Sequence, residues 1–133
     1  MHTTNHILII DDDQSIVRMS KEALEGSGMS VDVAYNGKEG LDMLRTAHNP
    51  YDLVIVEVLV PKLNGVDVCE EMQRDQALAH IPVLLTSILP VASGAFQRSL
   101  KLHRVFSLVR DTLEKPYDAL LLTSKVQRLL EKH

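Results

Sequence analysis

Ile7-Leu8-Ile9-Ile10-Asp11-Asp12-Asp13 is an unbroken apolar run that stops at three consecutive acids. A half-buried strand alternates apolar and polar residues. A run with no polar break fits a strand covered on both faces, as inside a parallel sheet flanked by helices. Leu53-Val54-Ile55-Val56 repeats the pattern and stops at Glu57. Val83-Leu84-Leu85 repeats it again and is followed by Thr86 and Ser87. Val31 and Val33 flank Asp32, the alternation of an edge strand. Asp111-Thr112-Leu113 reads as a weak fifth strand, with Lys115 just beyond it.

Segments with helical spacing separate these runs. Ile16, Met19, Ala23 and Leu24 share one face, Leu41 and Leu44 a second, and Val68, Cys69 and Met72 a third. Ala119, Leu122, Val126, Leu129 and Leu130 form a stripe near the end. Asn36 followed by Glu39 has the form of a capping box. Asp13 and Asn64 are placed to cap the first and third helices. Pro116 precedes the last helix, where a missing N–H costs little. Pro50, Pro61, Pro82 and Pro90 fall at segment edges. Between Pro90 and Arg110 the pattern is looser, and Phe96, Leu100, His103 and Phe106 predict a helix over 92–108. Strand–helix alternation in this order predicts an α/β fold, a parallel sheet with helices on both faces, in one domain spanning 1–133.

A chain of 133 residues fits a single compact unit. With 45% hydrophobic and 24% charged residues, the composition argues against disorder. A net charge of −4 with no basic patch argues against nucleic acid as a ligand of this domain. No apolar run approaches the roughly 20 residues of a membrane helix. The segment Met1 to His6 lacks a signal-peptide pattern, and the single cysteine, Cys69, fits a reducing compartment. A cytoplasmic location is expected.

In an open α/β sheet, ligands sit outside the carboxyl ends of the strands. The residues after the apolar runs are Asp11, Asp12 and Asp13, then Glu57, then Thr86 and Ser87, then Lys115. Clustered carboxylates suit a hard divalent cation. A hydroxyl and an ammonium opposite them suit phosphoryl oxygens.

These residues carry a resemblance to the receiver domains of bacterial two-component response regulators. It rests on the stretches from Ile7 to Asp13 and from Tyr51 to Glu57, on Val60-Pro61 through Asn64-Gly65, on Ile81-Pro82-Val83, and on Leu113-Glu114-Lys115-Pro116. Each piece alone is unspecific; five in this order, over nearly the whole chain, are not. The resemblance implies a flavodoxin-like, doubly wound, five-stranded sheet of order 2-1-3-4-5. It implies Mg²⁺ held by Asp11 and Asp12 together with the acid ending the third strand. It implies a Ser/Thr and Lys115 that contact a phosphoryl group taken from a histidine kinase, and a cis Lys115–Pro116 bond. The implied partners are a histidine kinase or a downstream effector, with a homodimer also compatible, and no enzyme activity is expected.

The chain departs from the family pattern at three places. The phosphoacceptor position, normally aspartate, holds Glu57, placed by counting eight residues back from Gly65. The glutamate carboxylate reaches one methylene farther, which defines an atypical receiver that is not phosphorylated in the usual way. The hydroxyl position is open between Ser87, five residues after Pro82, and Thr86, and strand alternation lets only one face the site. The switch position three residues before Lys115, usually aromatic, holds Thr112. Two competing readings remain. A Mg²⁺-dependent phosphotransferase or hydrolase of similar fold would need a nucleophile that the third strand does not end in. A receiver phosphorylated at another acid, such as Asp12, is the other.

Some suggestive residues read as ordinary. The six histidines have no metal-ligand spacing and read as surface residues. Cys69 lies on an apolar stripe and reads as core. Gly37 and Gly40 follow a cap and form no phosphate loop. Leu120 or Leu121 is expected at the surface, as part of a partner contact.

Overall fold

The computed structural model describes residues 4–90, 94, 97–98 and 107–131. Five strands, β1 (His6–Ile10), β2 (Ser30–Ala34), β3 (Leu53–Glu57), β4 (Val83–Ser87) and β5 (Val109–Glu114), form one sheet. All neighbouring pairs are parallel, and the order is β2-β1-β3-β4-β5. This is the order expected, with the alternating strand β2 at one edge. Four helices accompany it among the described residues: α1 (Gln14–Gly26), α2 (Gly37–Thr46), α3 (Gly65–Gln73) and α4 (Ala119–Glu131). The helix expected over 92–108 lies almost wholly outside the described residues. The fifth strand is longer than the Asp111–Leu113 read from the sequence.

Alternation along the buried strands divides the core in two. Leu8, Ile10, Val54, Val56, Val83 and Leu85 pack with Leu41 and Leu44 of α2 and with Val68, Cys69 and Met72 of α3. Ile7, Ile9, Leu53, Ile55 and Leu84 pack with Val17 and Leu24 of α1 and with Leu122, Val126 and Leu129 of α4. Cys69 is fully buried, and burial pushes its thiol up to about 12, as the core reading required.

The caps follow the sequence with one difference. Asp13 accepts from the Ser15 and Ile16 N–H groups, Asn36 from Glu39, and Asn64 from Asp67. The Glu39 carboxylate accepts from the Tyr35 N–H, one residue before the cap of a true capping box. Asp118 caps α4 by accepting the Leu121 N–H. Lys115–Pro116 is cis.

His6 corrects the reading of the histidines as surface residues. It is buried at the start of β1, stacked on Tyr51 with ring centroids 4.2 Å apart. Its Nε2 lies 2.9 Å from Asp32 Oδ2, which also accepts the Tyr51 hydroxyl at 2.7 Å. Its backbone N–H donates to Asp52 Oδ2 at 2.7 Å. Burial works against the Asp32 charge, but the bonds from Tyr51 and His6 outweigh it and hold the carboxyl below the usual aspartate range. Its share of stability is therefore present above the ordinary carboxylate range and lost as pH falls through the lowered folded value. No spacing rule could have linked residues from β1, β2 and the segment before β3.

The β4–β5 ladder contains a shift that matters for the site. Val83 pairs with Val109, but Leu84 pairs with Asp111, so Arg110 is an extra residue in β5. The cores register the effect. Val109 belongs to the α2/α3 side and Leu113 to the α1/α4 side, although four residues in a regular strand would share a face. A one-residue slip exchanges the faces of everything downstream, so this bulge assigns Leu113 and Lys115 to the α1/α4 side.

Arg110 is exposed, so Arg110→Ala is expected to change stability by less than about 0.5 kcal/mol. Deleting Arg110 moves Lys115 to the opposite face, and urea denaturation is expected to show a loss of about 3 kcal/mol or more. A deletion as mild as the alanine variant would show that the bulge does not set the face of Lys115.

Candidate functional site

Three strands deliver one charged side chain each to the carboxyl edge of the sheet. Asp11 follows β1, Glu57 is the last residue of β3, and Lys115 follows β5. The Lys115 Nζ lies 2.8 Å from Asp11 Oδ2 and 2.9 Å from Glu57 Oε1. The lysine side chain is 8% exposed and both acid side chains 4%. Burial works against the lysine charge. The hydrogen bonds and charges of Asp11 and Glu57 outweigh it and raise the ammonium above the usual lysine range.

The surrounding backbone aims these groups. The Lys115 N–H continues the ladder by donating to the Ser87 carbonyl at 2.7 Å, and Val58 N–H donates to the Thr86 carbonyl at 2.9 Å. The turn after Glu57 closes back on Gly65, whose N–H donates to the Val58 carbonyl at 2.8 Å. A Cβ at Gly65 would lie 2.6 Å from the Glu57 carbonyl oxygen, so only glycine fits that approach. The eight-residue spacing from Glu57 to Gly65 thus has a steric basis.

Thr86 pairs with Glu57 in the β3–β4 register and with Leu113 in the β4–β5 register, which sets it on the face of Glu57 and Lys115. Its Oγ1 is buried and has no hydrogen-bond partner among the described residues. Ser87 is also buried, but it alternates to the other face, as does Thr112, which is half-buried and pairs with Leu85. The Ser87 Oγ accepts the Leu89 N–H at 2.8 Å.

Two hydroxyls next to this site went unnoticed in the sequence. Tyr117 is buried, and its hydroxyl lies 3.2 Å from Ser20 Oγ on α1. Burial raises the Tyr117 pKa, and the charges of Asp11, Lys115 and Glu57 also act on it. Its place two residues beyond Lys115 was the available signal, but a serine 97 positions away has no local signature.

Every carboxylate oxygen of the pair is engaged. Asp11 Oδ1 accepts the Asp13 N–H at 2.9 Å and Oδ2 the ammonium; Glu57 Oε1 accepts the ammonium and Oε2 the Leu59 N–H at 3.2 Å. Asp12 is exposed and joins neither contact. The metal-ligand set of Asp11, Asp12 and Glu57 is therefore not assembled. Among the described residues no group of three His, Cys, Asp or Glu could hold a metal ion. Mg²⁺ demands near-octahedral oxygen ligation, and this arrangement does not fit it because the ammonium lies between the two principal acids.

Residues 7–127 match the response regulator receiver domain. The chain belongs to that family. Receivers of two-component systems interact with histidine kinases and effector domains and typically bind Mg²⁺ at this acidic edge. The receiver is similar to the DNA-binding dual master transcriptional regulator RpaA of Synechocystis, at 35% identity over 126 residues, 95% of this chain and 49% of that protein. It is 30% identical over 131 residues to the transcriptional regulatory protein CpxR of Escherichia coli, covering 96% of this chain and 50% of that protein. The chain thus spans about half the length of these relatives. The chemotaxis response regulator CheY4 of Vibrio cholerae superposes with a TM-score of 0.83 at 24% identity, covering 96% of this chain and 99% of that one. The signal receiver domain of a signal transduction histidine kinase from Syntrophus aciditrophicus gives 0.81 at 28% identity, covering 97% and 92%. These neighbours share the flavodoxin-like sheet order expected from the sequence. Among the described residues no helix is long and apolar enough to cross a membrane.

Removing the lysine leaves two buried acids unpaired, so Lys115→Met is expected to cost about 3–5 kcal/mol in urea denaturation at neutral pH. Because the folded lysine pKa is raised, its contribution is complete below about pH 10.4, the unfolded value, and declines as pH rises through the higher folded one. A wild-type stability profile that already loses this contribution between pH 7 and 9 would contradict the bridge.

Proposed function

We propose that this receiver works through protein contacts without accepting a phosphoryl group at Glu57. The observation that supports this most is the 2.9 Å ion pair between Glu57 and Lys115 at the end of β3. Phosphoryl transfer needs the attacking oxygen close to and in line with phosphorus, and small misplacements cost large factors in rate. Glutamate moves that oxygen by a methylene, and here the oxygen is already held by the ammonium. Glu57 contributes a charge of −1, against about −2 for a phosphoryl group, so it stands in only partly for the phosphorylated state.

In this reading the whole of residues 1–133 acts as one cytoplasmic receiver unit that neither turns over substrate nor binds nucleic acid itself. Its partner is a histidine kinase or a downstream effector, with self-association a further mode. Leu120 and Leu121, 77% and 45% exposed at the start of α4, offer apolar contact surface. Thr86 is the hydroxyl on the face of the pocket, Ser87 lies on the other face, and Thr112 occupies the position from which relatives relay switching.

Incubation with a small-molecule phosphodonor and Mg²⁺, followed by intact mass measurement, is expected to leave the protein unmodified, whereas Glu57→Asp gains one phosphoryl group. Modification of the wild type mapped to Glu57 would end the proposal. Modification mapped to Asp12 would establish a receiver with a displaced acceptor. Turnover of a phosphate ester that vanishes in Asp12→Asn would establish an enzyme instead.

A further inference from the structure

The four committed carboxylate oxygens have a consequence for cation recognition, and it rests on the reading of the pocket as permanently unphosphorylated. We infer that Lys115 is the resident counter-cation of this pocket and excludes a divalent metal from it. Both acids are buried, and their charges require a partner. The ammonium supplies it from 2.8 and 2.9 Å. The remaining oxygen of each acid is held by a backbone N–H, of Asp13 and of Leu59. A metal entering between Asp11 and Glu57 must therefore displace a buried ammonium. The exposed Asp12 supplies one carboxylate and no enclosure.

The longer side chain at position 57 contributes directly. One of its carboxylate oxygens reaches the lysine while the other stays on the Leu59 N–H, two residues along its own chain. The bridge thus spans β1, β3 and β5 with groups of this chain alone. Thr86 Oγ1, buried on the same face and without a hydrogen-bond partner among the described residues, adds a neutral oxygen beside the bridge and no charge to recruit a cation.

The test is a titration with Mn²⁺ read by amide line broadening, with Mg²⁺ as diamagnetic control. The wild type at about 5 mM metal, above the ~1 mM dissociation constants of weak oxygen-ligand sites, is expected to show no broadening centred on Asp11, Asp12 and Val58. Lys115→Met is expected to bind at least roughly tenfold more tightly, with a melting temperature that rises on adding Mg²⁺. Should Lys115→Met be unfolded alone, recovery of its folded spectrum on adding Mg²⁺ reads the same property. Localised broadening in the wild type overturns the inference, and so does a Lys115→Met protein that gains no affinity. Neither result bears on whether Glu57 accepts a phosphoryl group, which the mass measurement decides separately.

Discussion

A buried ammonium between two buried carboxylates is the constraint on which this molecule's site depends. Lys115 joins the ends of β1, β3 and β5 through Asp11 and Glu57. None of the three charges is tolerable alone in an interior of low dielectric. The contact therefore fixes the geometry of the edge as well as its charge. In a receiver this edge is where a phosphoryl group would be taken up, and here the acid and the base already satisfy one another.

What brings the lysine there is a single extra residue far from it in the ladder. Without the bulge at Arg110, β5 would keep one register from Val83 onward, and Leu113 and Lys115 would face α2 and α3. With it, the strand begins with Val109 in one core and ends with Leu113 in the other. The charge placement at the carboxyl edge thus follows from backbone geometry in an edge strand whose sequence looks weak. The same shift leaves Thr112 on the side of Ser87, apart from the lysine.

The sheet is held differently at its two ends. At the start of β1 and just before β3, His6, Tyr51 and Asp52 join Asp32 of β2 in a polar strap. At the carboxyl ends, the lysine bridge sits over the Ser20–Tyr117 hydroxyl pair. Between them β1 and β3 are wholly apolar, from Ile7 to Ile10 and from Leu53 to Val56. Specific polar pairing is concentrated where strand ends would otherwise leave charged or donor groups without partners.

The strands, their parallel arrangement and the set of residues at the carboxyl edge are all legible in the chain's apolar pattern. Unbroken apolar runs such as Ile7–Ile10 and Leu53–Val56 are compatible with few other environments, and each ends at a polar residue that has to lie at an edge. The caps Asp13, Asn36 and Asn64 were legible because capping is a local backbone interaction. The tertiary structure alone decided which of those edge residues meet. Asp12 stays exposed while its neighbour Asp11 is buried on the lysine. His6 is buried by partners from other strands, and Ser20 meets Tyr117. Face assignment in β5 turns on a register shift, and ion pairing turns on distances between segments remote in the chain. Neither is encoded in any short window, because both are set by how strands align against one another.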